Sequence, residues 1–96
     1  MVIGILEMVL YLPESHSLKE KRRVVKSIKD KVRNRFNVAI AETDDLDLWQ
    51  KARLGVCTLG NDRRQVNGRL DQVVNFVERL QLASDLEVQM ELLDYS

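Results

Sequence analysis

The chain is short of the residues that close small folds covalently or mark a cofactor site. It has one cysteine, Cys57, so no intramolecular disulfide can form, and its single histidine, His16, cannot build a zinc set. One proline and four glycines leave little room for long loops or linkers, and for base stacking on the two central strands Lys51–Thr58 offers no aromatic ring and only Tyr11 could serve. No apolar run approaches the roughly 18 residues that a membrane-spanning helix needs, and the Val2–Leu12 run has no basic segment before it. A Gly-rich phosphate loop, a Ser-His-Asp set and a paired cysteine nucleophile are all missing. The expectation is a soluble, cytoplasmic, non-enzymatic protein with no catalytic residue, no cofactor, no bound metal and no membrane partner.

What is present is charge, and it is segregated. The whole chain is formally neutral, but Ser17–Arg35 holds nine Lys/Arg (19, 21, 22, 23, 26, 29, 31, 33 and 35) against Glu20 and Asp30, a net of +7. The rest of the chain therefore carries −7. A local field of this kind governs partners more than the sum does.

At 96 residues the chain suits one domain, 1–96, able to bury a core without a staple. Val2–Leu12 is apolar at every even position except Gly4 and ends at Pro13, which predicts a central strand. Ser17-Leu18-Lys19-Glu20 fits a capping box, with the serine oxygen on a first-turn N–H and Glu20 reaching back to the N-cap N–H, so a helix starts at Leu18. At about 100° per residue, Leu18, Val24, Val25, Ile28 and Val32 share one arc, while Lys19, Arg22, Lys26, Lys29 and Arg33 share the next. Lys21 intrudes into the apolar arc. Phe36–Glu42 and Lys51–Leu59 alternate as strands, Asp62 caps a second helix carrying Val66, Leu70, Val73, Val74, Val77 and Leu80, and Leu86–Leu92 is a fourth strand.

The order β-α-β-β-α-β predicts an α+β, ferredoxin-like fold: a four-stranded antiparallel sheet with both helices on one face and the first and third strands central. The other face, collecting Ile3, Ile5, Val9, Tyr11, Cys57 and Leu59 among others, is apolar enough to suggest a partner.

The run from His16 to Val25, Arg35–Ala39, Asp47–Ala52 and Leu54-Gly55-Val56 together resemble the bacterial YlxP-like family, also called domain of unknown function 503. The resemblance covers nearly the whole chain. It implies the same ferredoxin-like fold and a bacterial cytosolic protein, and because members tend to be encoded beside translation-initiation and ribosome-maturation genes it points to ribosome or RNA work. It brings no catalytic residue.

The candidate nucleic-acid contacts are Lys19, Arg22, Lys26, Lys29 and Arg33, because a row of cations on phosphates releases condensed counterions. The partner would be structured RNA or a ribosomal particle. The plainer reading of the same row is a solvated helix face. His16 and Lys21 at the start of the first helix are a possible anion-binding pair, where free N–H groups favour negative charge; otherwise Lys21 fills space. Asp44, Asp45 and Asp47 are expected to be a solvated acidic loop rather than a metal site, Trp49 an anchor in the core or an interface, and Cys57 a small sheet residue. The rival function is a protein-interaction module, a homodimer formed through the uncovered sheet face.

Overall fold

The computed structural model describes all 96 residues. Six elements follow in order: β1 (Val2–Tyr11), α1 (Leu18–Arg35), β2 (Ala39–Asp44), β3 (Lys51–Gly60), α2 (Arg63–Leu80) and β4 (Asp85–Asp94). The strands form one sheet in the order β2-β3-β1-β4, every neighbour antiparallel, with both helices packed on one face. This is the ferredoxin-like α+β arrangement.

The core lies between sheet and helices. Leu6, Met8 and Leu10 of β1, with Ala52, Leu54 and Val56 of β3, meet Val25, Ile28 and Val32 of α1 and Leu70, Val73 and Val77 of α2. Strand alternation and helical period put these residues on facing surfaces. Gly4 breaks the apolar alternation for a steric reason. A Cβ there would stand 2.6 Å from Val66 Cγ1 and 2.8 Å from Leu70 Cδ1, so the glycine lets α2 approach the sheet.

Both ends of β2 differ from the sequence pattern, while β1, β3 and β4 shift by only one or two residues at their ends. β2 starts at Ala39 rather than Phe36, because Phe36 is the C-cap of α1: its N–H donates to Val32 O at 2.9 Å and its ring meets Phe76 edge-on at 5.6 Å. β2 also runs on to Asp44, through an irregularity in which Glu42 opposes Leu54, Asp44 opposes Arg53 and Thr43 is the extra residue. Thr43 Cγ2 lies 2.7 Å from where a Cβ on Gly55 would stand, so Gly55 makes room for the bulge.

No helix is long and apolar enough to cross a membrane. On the uncovered sheet face Ile5, Leu59 and Leu93 are exposed, while Val9, between its cross-strand partners Arg53 and Glu87, is buried.

Candidate nucleic-acid interface

α1 begins as its sequence requires. Ser17 Oγ accepts the Glu20 N–H at 3.1 Å, and Glu20 Oε2 accepts a backbone N–H at 2.7 Å; the donor is His16, one residue earlier than the N-cap that the capping-box pattern predicted. The helix then buries Lys21, Val25, Ile28 and Val32, with Leu18 and Val24 half-buried on the margins of that face.

The cationic stripe lies on the flank of α1 turned toward edge strand β2. Arg33 at its C-terminal end is fixed there, with Nη2 donating to Ile40 O near the start of β2 at 2.8 Å, and Lys21, on the adjoining buried face, reaches Glu42 near the end of β2. Lys19 and Arg22 are exposed, Lys29 is half-buried, and none of the three has a carboxylate within ion-pair distance. Lys26 is held by Asp30 at 2.7 Å and Arg33 lies 3.9 Å from the same residue. The Lys26 hydrogen bond, aided by the charges of Lys26, Arg33 and Lys29 and opposed by desolvation, holds the Asp30 carboxyl below its ordinary value. Five cations thus share one acid, and the flank keeps a net positive field.

Arg23 also belongs to this surface. It is exposed, makes no ion pair and sits one turn from Lys19 and Lys26; its helical projection, about 40° beyond Lys19, was the signal for it. Arg35 does not belong, because its guanidinium stacks 5.1 Å above the Phe76 ring on the α2 side.

The proposed anion pair is not assembled. Lys21 is 1% exposed, with Nζ 2.8 Å from Glu42 Oε2 and donating to Asp45 O at 2.5 Å. Its contact with Glu42 is an ion pair without the geometry of a directed hydrogen bond, since Glu42 Oε2 is buried with no hydrogen-bond donor. His16 is exposed, and the carboxylate that answers the helix N-terminus is the protein's own Glu20. The ammonium that was to face a ligand is spent inside the fold.

The acidic loop is divided rather than convergent. Asp45 Oδ2 lies 3.5 Å from Arg53 Nε and 3.7 Å from Lys51 Nζ, and Asp44 Oδ1 accepts the Asp45 N–H at 2.8 Å. No three Asp, Glu, His or Cys side chains come together in a metal-holding group. Arg53 continues the network to Glu7 at 2.8 Å; desolvation works against its charge, but the Glu7 hydrogen bond and the charges of Glu7 and Asp45 outweigh it and raise its pKa. Trp49 does not anchor the loop in the core, because it is 51% exposed. Cys57 is a free, exposed thiol on the sheet.

These elements, including the buried lysine and the basic flank, fall within residues 3–90, which match the model of a family described as "Protein of unknown function (DUF503)". The chain belongs to the DUF503 family. It is 36% identical over 77 residues to "Uncharacterized protein YlxP" of Bacillus subtilis (strain 168), a match spanning 80% of this chain and 84% of that protein. In fold, this DUF503 chain is similar to the de novo designed protein Foldit4, with a TM-score of 0.56 over 99% of this chain and 98% of the designed one. At 13% identity that likeness concerns the backbone arrangement alone.

Proposed function

We propose that this DUF503 protein is a non-enzymatic binding protein that associates with structured RNA, by itself or within a ribosomal particle, through the flank of α1 carrying Lys19, Arg22, Lys26, Lys29 and Arg33. One observation carries the reading: Lys19, Arg22 and Lys29 stand unmatched on a single helix flank although the protein holds as many acids as bases. A merely solvated face would mix its signs at i,i+4 spacing, and here only Asp30 does so. The stripe fits a phosphate row rather than base edges, so recognition would follow backbone shape.

The test is binding of a structured RNA hairpin at several salt concentrations. The logarithm of affinity should fall with the logarithm of salt by about 0.9 for each phosphate engaged, as for a duplex. Lys19/Arg22/Lys29→Glu should abolish binding while leaving the circular dichroism spectrum unchanged. Undiminished binding by that variant overturns the proposal.

A second reading, a homodimer through the uncovered sheet face, is favoured by Ile5, Leu59 and Leu93, which are 39%, 61% and 40% exposed on that face. Light scattering at low and high salt decides it. A mass that stays at one chain under both conditions removes it.

A further inference from the structure

Trp49 is the only tryptophan of the chain and half of it lies in water, beside a Leu48 that is 46% exposed. The segment bearing them is nevertheless tied down. Leu48 N–H donates to Asp45 O at 3.1 Å, Leu12 N–H to Gln50 O at 2.8 Å, and Gln50 Nε2 to the carbonyl oxygens of Pro13 and Ser15 at 3.2 and 3.1 Å. An exposed indole on a preordered backbone loses little further freedom on binding, the property expected of an interface anchor. Tyr11, Leu48, Trp49, Gln50 and Lys51 line an open depression of about 540 Å³ at one end of the uncovered sheet face.

The surrounding charges select the occupant. Tyr11 sits in the sheet between Lys51 on β3 and Asp85 on β4. The local cations are already matched, Lys51 by Asp45 and Arg53 by Asp45 and Glu7. Asp44, Asp47, Asp85 and Glu87 are exposed and enter no ion pair. The surplus is negative, which repels phosphate and attracts cations, and the faces of Trp and Tyr attract cations as well. Asp44, Asp85 and Glu87, paired with Arg53, Tyr11 and Val9, lie on the sheet face away from the helices, whereas the stripe is on α1.

We infer that the Tyr11–Trp49 depression is a docking site for an arginine- or lysine-bearing segment of a partner protein, with the cationic head against the aromatic rings and surrounding carboxylates and its aliphatic stem on Leu48. The site does not rest on the RNA reading. A particle containing both RNA and basic protein would present a ligand to each surface.

Because Trp49 is unique, its emission reports occupancy directly. The probe is a blocked peptide carrying two arginines and a leucine, titrated at low salt against the same peptide with citrulline in place of arginine. A saturable change in Trp49 emission is expected, with the citrulline peptide weaker by about tenfold, the scale of one cation–π contact with its charge. Asp47→Asn/Asp85→Asn should weaken arginine-peptide binding several-fold, and Trp49→Ala should abolish it when followed by NMR, both without loss of the folded spectrum. Equal binding of the two peptides, or no response up to millimolar peptide, overturns the inference. So does stronger quenching by a single-stranded RNA oligonucleotide, which would make the depression a base-stacking site. Emission that follows protein concentration together with a doubled scattering mass would assign it to a second copy instead and equally overturn the inference. Lys19/Arg22/Lys29→Glu should not weaken peptide binding, so the two surfaces fail or stand separately.

Discussion

Lys21 and Glu42 form an ion pair of 2.8 Å in which the lysine side chain is 1% exposed and the glutamate 13%. The pair joins the start of α1 to the end of β2, and through the Asp45 carbonyl it also holds the β2–β3 connection. Truncating one member leaves the other desolvated without a counter-charge, which in buried pairs costs more than the pair itself contributes. Lys21→Ala should therefore lower the unfolding free energy by roughly 3 kcal/mol. Lys21→Met/Glu42→Met, which removes both charges and keeps the volume, should recover most of that loss. Urea denaturation of the two variants checks it: a double variant no better than the single one would show that the missing term is packing, not charge.

Gly4 should not tolerate a side chain. A methyl group there meets Val66 Cγ1 and Leu70 Cδ1 inside van der Waals distance, and Leu92 Cδ2 closes the third side at 3.3 Å. Gly4→Ala is expected to cost about 1–3 kcal/mol by overpacking between α2 and the sheet. The midpoint of thermal unfolding measures it, and no change would mean that α2 can move away freely.

Gly68 is the opposite case. It lies inside α2, and a Cβ built there has nothing within 4 Å. Gly68→Ala should stabilise the protein by about 0.5–1 kcal/mol, through helix propensity and a less free unfolded chain. A lower melting temperature in this variant would contradict the open surroundings.

Asp30 gives a pH dependence of definite sign. Its folded carboxyl titrates below the ordinary value of 3.8, chiefly through its hydrogen bond from Lys26. A depressed folded pKa contributes stability that is present above the unfolded value and lost as pH falls through the folded one. The contribution is that of an exposed i,i+4 pair, so it should be small. Carboxyl NMR titration should place Asp30 below 3.8, and Lys26→Ala should move it back upward. An unmoved midpoint would remove Lys26 as the main cause.

Much of the fold was legible because it depends on period. The two-residue repeat of β1 and β3, the helical repeat of Val25, Ile28 and Val32, and the caps Ser17 and Asp62 are local properties that the tertiary structure only had to stack. The boundary at Phe36 was not local. Its apolar character suits a strand as well as a helix cap, and contact with Phe76, forty residues away, decides between them.

The candidate site divides in the same way. The sequence by itself determined that the positive charge gathers on one helix and that Lys19, Arg22, Lys26, Lys29 and Arg33 share a flank, since helical spacing alone sets that. Only the tertiary structure decided which cations remain available. Lys21 faces β2, so Glu42 and Asp45 consume it, whereas Lys19, Arg22 and Lys29 have no carboxylate within ion-pair distance; that depends on which strand lies beside the helix, and neither period nor composition records it. Trp49 was decided there too. Its side chain would suit a core, but the backbone around it is pinned by Asp45 and Gln50 outside the core, and the indole stands in water.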